Sequence, residues 1–142
     1  MIAVDTNILI YAHRSGFQEH QAARNLLTSL SEGSELWALP IFCLAEFLRV
    51  VTHPAILKPP SDLTSARRSL EALLDSPSLR VLSPGDRFPQ MLLQTAADAK
   101  ATGNLVFDAQ IVALCRENGV DTIWSNDRDL LRFRGMKARQ VS

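Results

Sequence analysis

The sequence is poor in cysteine, glycine and aromatic residues, and it carries no excess of either charge. Its two cysteines, Cys43 and Cys115, stand far apart in apolar runs. A disulfide framework or a thiolate zinc site is therefore not expected, and buried free thiols in a reducing cytosol are the simpler reading. The three histidines, His13, His20 and His53, have no metal-ligand spacing. No run approaches the ~20 apolar residues that a membrane-spanning helix needs. The opening Met1-Ile-Ala-Val-Asp5 has no basic leader and is interrupted by Asp5, which argues against a signal peptide and for a cytoplasmic protein. Fifteen Lys+Arg balance fifteen Asp+Glu, and this neutrality excludes a binder that holds nucleic acid by bulk positive charge alone.

What is present is ordinary globular material. The 142 residues are 46% apolar and 21% charged, which suits a single domain over 1–142 with one core. Short β-like runs alternate with longer helical ones. Ile2-Ala3-Val4, Leu36 to Leu39, Leu79 to Leu82 and Thr122 to Ser125 read as strands, with a further short edge strand near Val141. Helical spacing is expected over Ile8–His13, Glu19–Leu30 with Gly33 as its stop, Pro40 to about Thr52, and Ser61 or Asp62 to Leu74. It recurs over Phe88–Ala101, ended by Gly103, and over Leu105 to Asn118, capped by Asn104 and closed by Gly119. One more helical turn is expected over Leu130–Phe133. Strands separated by such helices imply right-handed βαβ units, a mostly parallel sheet and helices on both faces, a three-layer α/β/α sandwich. In such folds ligands bind beyond the carboxyl ends of the strands.

Four acids stand out against this frame. Asp5 ends the first strand, Glu46 is the only acid in the apolar run Pro40–Leu48, Asp108 is the only charge in Leu105–Leu114, and Asp127 follows the fourth strand. Burying an unpaired carboxylate costs several kcal/mol, so each needs a partner or a purpose. Each also has a modest local explanation. Asp5 or Asn7 can cap the Ile8 helix, Asp127 and Asp129 can cap the Leu130 turn, Asp108 can sit in a first helical turn, and Glu46 can pair with Arg49. If the strands are neighbours, Asp5 and Asp127 at their ends can meet Asp108 and Glu46 on the helices at one crevice, an oxygen-only cluster suited to Mg²⁺ or Mn²⁺ and to metal-assisted hydrolysis of a phosphate ester.

The ordered set Val4-Asp5-Thr6-Asn7, the isolated helical Glu46, Asn104-Leu-Val-Phe-Asp108-Ala and Ser125-Asn-Asp127-Arg-Asp129 resembles the PIN-domain ribonucleases, and in size and motif order the VapC toxins of bacterial toxin–antitoxin pairs. The resemblance runs from Met1 to about Phe133. It implies a Mg²⁺-dependent endoribonuclease, with Mn²⁺ as a substitute, whose acidic quartet is Asp5, Glu46, Asp108 and Asp127. Thr6 and Asn7 would hold that cluster, Ser125 would sit beside the metal or phosphate, and Asp129 matches a frequent fifth acid. It further implies a homodimer, a cognate VapB-type antitoxin and structured cellular RNA as substrate. Leu130 stands where the family often has an aromatic, and residues 53–74 lie in a variable region.

Other residues are less decisive. Arg14 and Arg128 are candidate RNA contacts, and Arg132, Arg134, Lys137 and Arg139 form either a basic rim or a solvated surface. Trp37 and Trp124 are expected in the core. Phe17, His20 and the Ala22–Leu30 face suit either an antitoxin groove or plain core packing. Two rival readings are an acid-pocket phosphohydrolase and a phosphoryl-accepting module, the first wanting a second acid where Asn7 stands and the second a lysine after Ser125. A non-catalytic interaction module is a third. Setting aside Asp5, Glu46, Asp108, Asp127 and Asp129 leaves ten acids against fifteen bases, so neutrality divides into a negative pocket and a surface five charges positive.

Overall fold

The structure is a computed structural model that describes residues 1–142. Five strands form one sheet in the order β3-β2-β1-β4-β5, and every neighbouring pair is parallel. They are β1 (Ile2–Val4), β2 (Trp37–Pro40), β3 (Leu79–Leu82), β4 (Thr122–Trp124) and β5 (Lys137–Arg139). Between them run α1 (Thr6–His13), α2 (His20–Glu32), α3 (Ile41–Val51), α4 (Leu63–Leu74), α5 (Phe88–Asp98) and α6 (Leu105–Glu117), with a 3₁₀ turn at Arg128–Arg132.

The strand order explains the layers. From β1 to β2 to β3 the chain steps one way across the sheet, and from β3 to β4 it returns past β2 and β1. Right-handed crossovers put the helices of the two journeys on opposite faces. Accordingly α1 packs on α2 and α3, and α3 on α4, while α5 pairs with α6; the interior strand β2 touches both α3 and α6. Burial follows the same plan. Ala3, Val4, Trp37, Ala38, Leu39 and Ile123 are fully buried, whereas at the edges β3 buries only its end residues Leu79 and Leu82 and β5 only half-buries Ala138. Trp37 is in the core as expected; Trp124 is only half-buried, with the Arg139 guanidinium 5.8 Å above its ring.

Helix starts and stops bear out several expectations and correct others. Asp62 caps α4 by accepting from Ser65 N–H at 2.7 Å. Gly119, at φ +69°, closes α6 with Val120 N–H bonded back to Cys115. Pro40 belongs to the end of β2, so α3 begins one residue later and leaves the strand without a loop. Asn104 makes no capping bond to α6. Helix α5 stops well before Gly103: Lys100 adopts φ +51°, and the bonds Lys100 N–H to Ala97 and Ala101 N–H to Ala96 form a Schellman closure. Glycine normally fills that position because it has no Cβ to clash, so composition pointed three residues too far. Lys100→Gly should relieve this strain and stabilise the fold by about 1 kcal/mol, read as a rise of about 3 °C in the thermal midpoint.

Candidate active site

The strand order reverses between β1 and β4, and their carboxyl ends open side by side. This is the crevice position of open α/β sheets. Asp5 leaves β1 there, its N–H donating to Trp124 O at 2.9 Å. Its carboxylate serves two ends at once. Oδ1 accepts from Thr6 N–H at 2.8 Å and so caps α1, while Oδ2 accepts from the Ser125 hydroxyl at 2.8 Å and from Asn7 Nδ2 at 3.4 Å. The modest reading of Asp5 as a helix cap is therefore correct, and the same side chain still faces the crevice.

Ser125 and Asn7 extend the bracing. Asn7 Nδ2 also donates to Ser125 Oγ at 3.1 Å, and Asn7 Oδ1 accepts from Asn126 N–H at 3.1 Å. Ser125 Oγ accepts from Asp127 N–H at 3.0 Å, and Asp127 Oδ1 accepts from Asp129 N–H at 2.9 Å, capping the 3₁₀ turn. Thr6 is buried beside the Glu46 carboxylate and the Cys43 thiol, but its hydroxyl has no well-directed hydrogen-bond partner.

A cavity of about 770 Å³ lies over this network. Asp5, Glu46, Asp108 and Asp127 all line it, Glu46 from the middle of α3 and Asp108 from the first turn of α6. The structure thus brings the whole quartet together. It also shows a division within it: a tight group comprises Asp108, Asp127 and Asp129, whose carboxylate oxygens lie within 4.8 Å of one another. Arg49 is the only cation in the cavity wall, and it acts on Glu46 through space without a direct ion pair.

Burial and crowding raise the proton affinity of Asp5, Glu46 and Asp108. Burial, then the charge of Asp127 and a hydrogen bond shared with it, push Asp108 up to about 7, with Asp5 and Asp129 adding to the effect. Burial raises Asp5 despite its bonds from Ser125 and Thr6. Glu46 is raised by burial and by Asp5, against the opposing pull of Arg49. Ionised oxygen donors packed this closely fit a hard divalent cation, which would relieve the mutual repulsion. The histidines do not compete for such a role: His13 bonds Ser61 and Ser69, His20 bonds Tyr11 O, and His53 accepts from Ala55 N–H. Burial pushes the Cys43 thiol well up and Cys115 up to about 12, so neither is a thiolate ligand.

Some wall residues escaped the sequence reading. Asn104, expected as a cap, lines the cavity, as do Phe42, Gln110 and an exposed Phe107. For Asn104 and Phe107 the available signal was helical phase, since 104, 107, 108 and 111 recur on the side of α6 and its leading residue that carries Asp108. Arg14 lies outside the cavity wall, with its guanidinium bonded to the Ser61 hydroxyl at 3.2 Å, and Arg128 is exposed on the 3₁₀ turn.

Comparison with known proteins agrees with this geometry. The PIN domain family matches residues 2–136. Ribonuclease VapC43 of Mycobacterium tuberculosis is 39% identical over 139 residues, 98% of this chain and 94% of that protein. Ribonuclease VapC48 of the same organism is 34% identical over 135 residues, 95% of this chain and 93% of that one. Among solved structures, VapBC2 from Rickettsia felis, bound to a DNA fragment from its promoter, superposes with a TM-score of 0.73 at 17% identity over all of both chains. The M. tuberculosis toxin VapC20, which cleaves the sarcin–ricin loop, superposes with a TM-score of 0.66 at 18% identity, covering 92% of this chain and 93% of that one. An all-parallel sheet with its acids at the switch point and whole-length similarity to VapC ribonucleases lead to one assignment: the chain belongs to the PIN-domain family, among the VapC ribonucleases.

Proposed function

We propose that the protein is a metal-dependent endoribonuclease, with residues 1–142 forming one nuclease domain, and that it is the toxin of a type II toxin–antitoxin pair acting on structured cellular RNA. The observation that carries this reading is the convergence of Asp5, Glu46, Asp108 and Asp127 on one open cavity at the sheet's switch point. The ribonuclease relatives that span nearly the whole chain support RNA as substrate. VapBC assemblies among the structural neighbours support a VapB-type antitoxin as partner, and we include the homodimer expected of the family. No helix is long and apolar enough to cross a membrane; we place the protein in the cytoplasm, where RNA and antitoxin meet.

Each residue has a definable task in this proposal. Asp108, Asp127 and Asp129 would hold Mg²⁺ or Mn²⁺ together with Asp5, whose orientation Ser125 and Asn7 maintain. The bound cation would supply a more acidic water and offset the charge gathering on the phosphate. Glu46, raised in proton affinity and across the cavity, is placed to accept a proton during attack. Arg49 offers a positive contact for an incoming phosphate, as would Arg128 and, further out, Arg14.

Asp5→Asn and Asp127→Asn should each lower Mg²⁺-dependent cleavage of a structured RNA by about 100-fold or more, and EDTA should abolish it; wild-type-like cleavage by Asp5→Asn would falsify the assignment. Asp108 makes a separable prediction. Its folded value of about 7 lies above the ordinary aspartate value of 3.8, so the metal-free folded state binds the extra proton. Its stability from this group is greatest at low pH and is lost as the pH rises from about 4 to about 7. Asp108→Asn should therefore lose cleavage yet melt several degrees above the metal-free wild type at pH 8, with the gap closing toward pH 4. By the same linkage, Mn²⁺ affinity of the wild type, followed by calorimetry, should rise about tenfold per pH unit below pH 7 and level off above it.

A further inference from the structure

The acidic loop after β4 is held from a direction that the quartet does not explain. Ser125 N–H donates to Arg139 O at 2.8 Å, which extends the β4–β5 pairing by one rung beyond the last residue of β4. At the next residue the main chain no longer reaches, and a side chain takes over. Asn126 Oδ1 accepts from Val141 N–H at 2.9 Å, while Asn126 Nδ2 donates to Val141 O at 3.0 Å. Only a side-chain amide both donates and accepts in this way, reproducing the two faces of a peptide group. Val141 is a firm anchor, since the residue is only 8% exposed and belongs to the main core.

The other end of Asn126 reaches the site. Its backbone N–H donates to Asn7 Oδ1, Asn7 bonds both Asp5 and Ser125, and Ser125 Oγ receives the Asp127 N–H. A single residue between Ser125 and Asp127 therefore joins the core-anchored segment after β5 to the loop that carries two of the three clustered acids.

We propose that Asn126, through its paired hydrogen bonds to Val141, is a positioning residue that sets the cation-binding geometry of Asp127 and Asp129. The activity arm of this proposal rests on the nuclease reading; the metal-binding and exchange arms do not. The test compares wild type, Asn126→Ala, Val141→Pro, which removes the N–H that Asn126 accepts, Val141→Ala, which keeps both backbone bonds, and the Asn126→Ala/Val141→Pro double variant. Mn²⁺ binding is measured by titration calorimetry, amide exchange of Asp127 and Asp129 on the metal-free protein, and kcat and KM on a structured RNA. Asn126→Ala and Val141→Pro should each weaken Mn²⁺ binding about tenfold, speed exchange at Asp127, and lower kcat about tenfold with KM little changed. The double variant should be no worse than either single one, because both remove the same link, and Val141→Ala should keep wild-type Mn²⁺ affinity. If Asn126→Ala does not fold, Val141→Pro, which leaves every site residue in place, decides alone. Unchanged Mn²⁺ affinity and exchange in the clamp variants, multiplicative losses in the double variant, or a wild type that binds no Mn²⁺ overturns the proposal. A wild type that binds Mn²⁺ but cuts no RNA overturns the nuclease reading and leaves this one to the other two measurements.

Discussion

The hydrogen bond from Ser125 Oγ to Asp5 Oδ2 joins residues 120 positions apart in the chain, and the candidate site is organised around it. It ties the end of β1 to the end of β4, the two strands between which the sheet reverses. Ser125 spends its remaining capacity on Asn7 and on the Asp127 backbone, so one hydroxyl sets the spacing of two acids. Asp5 tolerates burial because both of its oxygens are occupied by donors, yet burial still wins and its proton affinity rises. A buried carboxylate held this way is poised for a cation, since its donors fix its orientation without neutralising it.

The electrostatics sharpen what neutrality means in this chain. Equal numbers of acids and bases conceal an uneven distribution, because four carboxylates and a single arginine face one cavity. The structure also separates roles that the motif treats alike. Asp108, Asp127 and Asp129 form the tight oxygen cluster, while Glu46 approaches from α3 under the influence of Arg49.

Much of the fold was legible because its signals are local. The strands at Ile2–Val4 and Leu79–Leu82 and the caps at Asp62 and Gly119 follow from runs and residue types that act on their neighbours. The quartet was legible for a different reason: each acid has a modest local explanation, but Glu46 and Asp108 stand isolated in apolar runs, and one shared site accounts for all four together. What stayed hidden depends on tertiary geometry. Lys100 takes a left-handed conformation that its composition does not announce, and Asn104 leaves a capping position to face the cavity. The Asn126–Val141 pairing crosses fifteen residues and needs β5 beside β4, a neighbour relation that no periodicity encodes.

The site draws on Asp5, Glu46, Asp108 and the 125–129 loop, and that loop leans on Val141. A chain still emerging from the ribosome holds β1 and α3 long before it has β4, so its acids stand apart while it is being made. Assembly of the site therefore waits for β4 and for the segment around Val141 that supports it. A chain that presents only β1 to α5 carries Asp5 and Glu46 but none of the three clustered acids, so the oxygen cluster does not exist until α6 and the last two strands are in place.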